Sequence, residues 1–314
     1  MYMSLTMVIA QKVARLAIYI ALGFLAVRSK LMTYQDSKAL GQFALWFLTP
    51  CAMVNAFQYE FSAAKLAGMG VSLVGSLIVV VVFALLTAAL RRAVPLTVVD
   101  YTTLEYPNAG NFMLPLIASA MGGEWVIYLS PAFFVMNLLI FTHGQAVLSG
   151  QKHISLAMFV KNPVLIAVVI GLALWVSGLR LPGLLGESVS TLGDMMGPVF
   201  MFSIGMILGS ADLRRVFGDK KAYLLCAGRL LLYPAAAILA LRLCGVMHLH
   251  PHAREILTVV ALTAGAPSAV MVVQFTTMFR TEEEAQFASA TNILSSVLCL
   301  FTLPVIHWLY ALIT

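Results

Sequence analysis

The sequence predicts an all-α integral membrane protein with ten transmembrane helices in two inverted five-helix repeats. Of its 314 residues, 61% are hydrophobic and only 10% are charged, and the mean hydropathy is +0.95. A soluble domain would be about half apolar and a quarter charged. The apolar runs are about 20 residues long, which suits spanning helices rather than barrel strands. Two of these runs, half a chain apart, are interrupted in their middles by proline, glycine and asparagine.

Hydropathy and helix-breaking residues place the ten spans along the chain. They are predicted at 7–27, 36–57, 66–90, 102–121, 125–148, 163–179, 187–208, 221–243, 255–279 and 284–311. The first repeat would cover residues 1–148, a cytoplasmic link 149–162 and the second repeat 163–314. Three residue pairs recur in corresponding spans at nearly one offset, which favours a repeat: Gly23 with Gly171, Pro50 with Pro198, and Pro115 with Pro267.

Basic residues predict the orientation of the chain. Lysine and arginine are concentrated in the loops after odd-numbered spans, so these loops are expected to be cytoplasmic and both termini non-cytoplasmic. Because each half has an odd number of spans, the second repeat is expected to cross the membrane in the opposite orientation to the first. The net charge of +6 is a topology signal, and no nucleic-acid partner is expected. No signal peptide is expected, because neither a basic stretch nor a cleavage site accompanies the first apolar run.

Cysteines and histidines give no metal-binding pattern. The four cysteines are scattered in apolar segments without pair spacing, and they are interpreted as packing residues. His248, His250 and His252 alternate in a loop that contains Pro251, which favours a solvated loop over a metal site. No metal and no cofactor are therefore expected.

The two interrupted segments are the most informative feature of the chain. The first covers residues 105–115 and the second covers residues 264–269. Proline lacks an amide donor, and glycine and asparagine tolerate non-helical backbone. Freed peptide groups in hydrocarbon need partners, so such breaks occur only in a protein interior or beside a water-filled cavity. Paired broken helices in two halves are typical of a secondary transporter's binding site.

In their order and spacing, several motifs resemble the auxin efflux carrier family, which includes plant PIN-type carriers and bacterial organic-anion permeases. The motifs are Gly23, Pro50, Asn108-Ala109-Gly110-Asn111 with Leu114-Pro115, Pro198, Gly205, Arg229, Pro234, Ala266-Pro267-Ser268 and Leu303-Pro304. The resemblance implies two inverted five-helix repeats whose unwound fourth and ninth helices cross at the substrate site. It also implies a carboxylate substrate such as malate, malonate or an auxin-like aromatic acid. The minimal chain favours a small dicarboxylate and the inner (plasma) membrane of a bacterium.

The predicted substrate-binding residues lie in or beside the breaks: Asn108, Gly110, Asn111, Pro115, Asn137, Ala266, Pro267, Ser268 and Asn292. The half-helices that begin near Pro115 and Pro267 would offer free amides and a partial positive charge, which suits a carboxylate. For each polar residue a structural interpretation stays open. The asparagines of the first break could satisfy broken backbone, Ser268 could cap its half-helix, and Asn137 and Asn292 could join packed helices.

Three charged residues are candidates for coupling or charge recognition, because intramembrane charges are costly. Asp194, near the middle of the seventh span, could bind a proton or cation, or pair with a basic neighbour. Glu105 could gate or bind a proton, or could face cytoplasmic water. Arg229 could attract anions, or could snorkel to the cytoplasmic surface.

The favoured function is secondary active transport of a small organic anion by alternating access. No motif of hydrolytic, metal or nucleotide chemistry occurs, so the chain is not expected to be an enzyme. Energy would come from an ion gradient, with a proton or sodium ion as the candidate coupling ion, from the membrane potential or from substrate exchange. The organic anion and the lipid bilayer are the expected partners, and a homodimer is left open. The alternatives are a sodium-coupled carrier similar to bile acid symporters, a passive anion channel and a membrane signalling subunit.

Overall fold

The computed structural model describes residues 5–110, 112–150 and 163–314, with the side chains of 5–10, 12, 13, 213 and 215 left out. This part of the chain is helical, and no strand ladder occurs in it. The helices are α1 (Leu5–Arg28), α2 (34–55), α3 (Ala63–Ala93), α4 (Val98–Glu105), α5 (Met113–Ala120), α6 (Gly123–Ser149), α7 (Pro163–Ser177), α8 (Gly183–Ser210), α9 (Leu213–Gly218), α10 (Lys220–Leu243), α11 (Ala253–Ala264), α12 (Val270–Phe279) and α13 (Glu282–Ile313).

Helices lie at all ten positions where the sequence predicts spans. Five of them, α3, α6, α8, α10 and α13, are long and apolar enough to cross a membrane by length and composition. The shorter helices α7 and α12 are also apolar. The chain is therefore an integral membrane protein, while the count of ten spans and the inverted relation of the two halves stay predictions. The short helix α9 is an addition that hydropathy did not predict.

Wide π-helical turns accompany two of the prolines. Ala44–Leu48 in α2 ends just before Pro50, and Gly228–Leu232 in α10 ends just before Pro234. Proline lacks an amide hydrogen and crowds the carbonyl of the preceding turn, and the wider turn makes room for it. The second wide turn contains Arg229, and it directs this side chain into the protein interior.

The helices pack as two bundles that each contain helices from both halves of the chain. The first bundle is α1, α2, α7 and α8, and the second is α3, α4, α6 and α10–α13, with α5 in contact with both. Within the first bundle, a Cβ on Gly23 would collide with the carbonyl of Phe202, and one on Gly205 with that of Ile20. The absence of side chains at these positions lets α1 and α8 touch backbone to backbone.

Candidate functional site

The two broken segments meet and pair through their backbones. The first break follows α4 and the second follows α11, and the chain is extended in both. An isolated antiparallel bridge joins them, made of two hydrogen bonds from Asn108 N to Pro267 O (2.8 Å) and from Ala269 N to Tyr106 O (2.9 Å). Each break thus supplies part of the backbone partners that the other has lost, as an unwound segment away from water requires.

Arg229 provides further partners from the wide turn of α10. Its guanidinium donates to Leu104 O (3.1 Å), Ala264 O (2.6 Å) and Ala266 O (3.1 Å). Its cationic carbon lies 4.9 Å from the ring centre of Phe83. Two of these carbonyls belong to the C-terminal ends of α4 and α11, where the helix dipoles concentrate negative charge. The third belongs to the second break. Because Arg229 is 0% exposed, the snorkelling alternative is wrong.

Asn292 and Ser295 of α13 hold the second break from its other side. The Asn292 amide donates to Ser268 O (2.7 Å) and to Ser268 Oγ (3.1 Å). The Ser268 amide donates to Ser295 Oγ (3.2 Å), and the two serine hydroxyls lie 3.2 Å apart. Ser268 is therefore buried in a polar network. The serine does not cap α12, whose first turn begins at Ala269 without a side-chain cap.

A cavity of about 390 Å³ lies beside the crossing, between the two bundles. Asn108 and Gly110 of the first break line it, together with Asn137 of α6 and Gln274 of α12. Asn137 also donates to Phe133 O of its own helix (2.8 Å), so one of its amide hydrogens is engaged. Much of the rest of the wall is apolar and aromatic: Leu45, Trp46, Phe133, Met136, Ile140, Phe141 and Met271.

The first turn of α12 contributes Val270 and Met271 to the same wall. The opening turn of a helix presents amides without intrahelical acceptors and a partial positive charge. Among the described residues that line this cavity, none is an aspartate, glutamate, lysine or arginine. The polarity of the described wall therefore comes from side-chain amides, from the hydroxyls of Thr49 and Tyr106, and from one helix end.

A second cavity of about 240 Å³ lies between α5 and the helices α1 and α8. Pro115 lines it, along with Ser119, Arg15 and Asp194. The two half-helix starts therefore line different cavities, because α5 begins at the second one and α12 at the first. The crossing separates the two helix starts. Asp194 shares its cavity with Arg15, and no ion pair joins them.

The remaining predicted residues that the structure describes are not found in the wall of either cavity. Glu105 is the last residue of α4, half-buried and outside both walls. Ala266 and Pro267 lie at the crossing and act through their carbonyls. Asn111 lies outside the described residues. Among those that are described, no cluster of three or more histidine, cysteine or acidic side chains could hold a metal ion.

Two polar pairs near the crossing were not singled out from the sequence. The Asp100 carboxylate, 0% exposed, binds Lys221 Nζ at 2.7 Å and forms a capping box with Thr97 at the start of α4. The Tyr106 hydroxyl is hydrogen-bonded to His143 Nδ1. His143 lies in a third wide, π-helical turn, Ile140–Gly144 of α6. The Thr97-x-x-Asp100 pattern is a recognisable helix start. The second pair has no local signature, because 37 residues separate its members.

Comparison with known families gives one match. The sequence matches the family described as membrane transport protein over residues 8–157 and 152–307. No curated protein sequence matches the chain. The family match covers almost the whole chain in two adjoining segments, which confirms the resemblance found in the motifs. The chain belongs to this membrane transport protein family, the auxin efflux carrier group.

Proposed function

We propose that the protein is a secondary transporter that moves a small organic anion by alternating access at the crossing of the two broken segments. In this proposal the ten predicted spans form two inverted repeats, and both termini face away from the cytoplasm. The observation that supports it most is a polar cavity at the backbone crossing between two packed bundles. Paired breaks beside a cavity are the usual position of a transporter's binding site.

The two cavities support the alternating-access part of the proposal. Both lie between the first bundle and the segments around the crossing, one at the start of α12 and the other at the start of α5. With the predicted topology, α12 runs to the cytoplasmic side and α5 to the opposite side. A shift of one bundle against the other would enlarge one cavity and close the other, which is rigid-body movement about a fixed crossing.

The wall of the larger cavity favours a monocarboxylate over the small dicarboxylate that the sequence favoured. A dianion would lose its hydration there, and the part of the wall that the structure describes offers no lysine or arginine to replace that hydration. One carboxylate can be met by the Asn108 and Asn137 amides and by the first turn of α12. The aromatic and aliphatic side chains of the wall would take up an apolar body. The substrate class that fits best is an organic monoanion with an apolar or aromatic body.

The test is counterflow in proteoliposomes loaded with unlabelled acid. A panel of labelled acids should include phenylacetate and benzoate as apolar monoanions, and malonate and malate as dianions. We expect the internal acid to accelerate uptake of the monoanions and to leave uptake of the dianions slow. Exchange of dianions alone would refute the substrate class. Ion conductance without exchange of any acid would refute the carrier and support a channel, and a strict requirement for sodium would support the sodium-coupled alternative.

A further inference from the structure

The Tyr106–His143 pair joins the wall of the larger cavity to the surface of the protein. Tyr106 lines the cavity and is 2% exposed, while His143 is exposed. Their side chains are hydrogen-bonded between the tyrosine hydroxyl and Nδ1. His143 lies in the wide turn near the end of α6, on the side that the basic loops predict to be cytoplasmic. With the predicted topology, one end of this hydrogen bond lies at the protein surface toward the cytoplasmic side, and the other end belongs to the cavity wall.

The direction of this hydrogen bond depends on the charge of the imidazole. A neutral ring with its hydrogen on Nε2 accepts the Tyr106 hydroxyl hydrogen at Nδ1. When a proton is added at Nδ1, both ring nitrogens become donors, and the tyrosine oxygen must accept instead. The tyrosine hydroxyl hydrogen then has to turn to another acceptor. Histidine is the side chain whose ordinary pKa, about 6.5, allows this change near neutral pH.

We propose that His143 is the site of a coupling proton and that Tyr106 transmits its charge to the bound anion. With His143 neutral, the Tyr106 hydroxyl donates its hydrogen to His143 Nδ1, away from the cavity. With His143 protonated, the hydroxyl hydrogen is available to the carboxylate of the substrate. One proton and one monoanion then bind together, no covalent bond of the substrate changes, and the net charge carried is zero. This inference rests on the proposed function and adds the coupling ion to it.

The charged and titratable neighbours of the pair are Arg91, Tyr101 and Glu105. Among the described residues, Arg91 of α3 acts electrostatically on both His143 and Glu105. It also stacks on Tyr101 of α4 at 4.4 Å from the ring centre. The helix α12 packs against the same turn and has no titratable side chain between Val270 and Phe279. Glu105 precedes Tyr106 directly and is the competing candidate for the proton.

The bond reversal can be measured without any substrate. The full-length protein, labelled with ¹⁵N-histidine and purified in detergent, would be titrated between about pH 8 and about pH 5. His143→Gln assigns the His143 signal by its loss. We expect the Nδ1 resonance to change from an acceptor nitrogen to a protonated one, and Tyr106→Phe to shift it in the neutral form. A His143 signal that does not titrate, or that Tyr106→Phe leaves unmoved, would overturn the proposal.

Coupling to the anion is tested by counterflow of labelled phenylacetate with equal pH on both membrane faces. One linked proton predicts that acidification lowers the half-saturating concentration by up to about tenfold per pH unit. His143→Gln and Tyr106→Phe should both remove this dependence, while His248→Gln, on the exposed outer loop, should keep it. Wild-type dependence in His143→Gln, with its loss in Glu105→Gln, would overturn the proposal. Absence of counterflow for every acid would instead refute the proposed function, and the titration in detergent would still decide whether the bond reverses.

Discussion

Arg229 binds the backbone carbonyl of Leu104 across 125 residues of sequence, at 3.1 Å and without exposure to solvent. The same guanidinium also binds two carbonyls at the second break. One side chain therefore satisfies groups released at both interruptions, and it carries positive charge to the negative ends of two helices. Its role in the structure is to hold the crossing, and a charge so engaged has little left to offer a substrate.

Replacing Arg229 should destabilise the protein. Arg229→Ala would leave three buried carbonyls without donors. Each unpaired carbonyl would lower the free energy of unfolding by about 1–3 kcal/mol, so we expect Tm in detergent to fall by several degrees. Arg229→Lys keeps the charge but lacks the planar fork, and it should recover only part of the loss. The matched control is Arg242→Lys, at the exposed end of the same helix. An unchanged Tm in Arg229→Ala would contradict the structural role.

Asn292 should affect transport through the position of Ser268. Asn292→Ala removes the amide that donates to Ser268 O and Ser268 Oγ, and a buried carbonyl left without this donor costs about 1–3 kcal/mol. We expect a turnover rate reduced about tenfold or more in counterflow, since 1.4 kcal/mol corresponds to a factor of ten. Ser296→Ala is the control, because its hydroxyl binds only the Asn292 carbonyl of its own helix. Equal rates in the two variants would show that the network does not position the site.

The side-chain amides in the wall of the larger cavity should determine the affinity for the transported anion. Asn108→Ala and Asn137→Ala each remove an amide that could bind the anion. A hydrogen bond to a charged group contributes about 1.5–3 kcal/mol, so we expect the KM for the best monoanion to rise about tenfold or more. Asn55→Ala is the control, since its amide binds Ser190 far along the chain and lines neither cavity. Normal KM values in both variants, with normal folding, would remove these residues from the site.

Gly197 should control movement between the bundles. A Cβ at this position would lie 2.6 Å from the Cβ of Pro115, which is closer than the stiff proline ring can accommodate. Because the contact joins α8 to α5 at the second cavity, Gly197→Ala should slow counterflow while the larger cavity still binds substrate. Gly70→Ala, with nothing within 4 Å of its added Cβ, should leave the rate unchanged. A normal rate in Gly197→Ala would indicate that this contact does not move.

Much of the local structure was predictable, because its causes are local. Apolar runs identified the helix at each predicted position, and a capping box at Thr281, four residues of local sequence, marks the start of α13. The breaks were found from proline, glycine and asparagine, whose backbone preferences act within a few residues. The roles of Arg229 and Asn292 were left between alternatives, since their partners lie in distant segments. Pro115 and Pro267 were predicted to belong to one binding site; Pro115 lines the second cavity and Pro267 lies at the crossing, positions that depend on how distant helices pack.

The sequence by itself determined the membrane class, the helix positions and the two interruptions, because hydropathy and backbone preference are properties of short stretches. The family match added that this pattern belongs to transport proteins. Only the tertiary structure decided which side chains complete the broken backbone, which cavity each half-helix start lines, and that Tyr106 meets His143. These depend on how helices rotate and cross, which is set by packing between residues far apart in the chain.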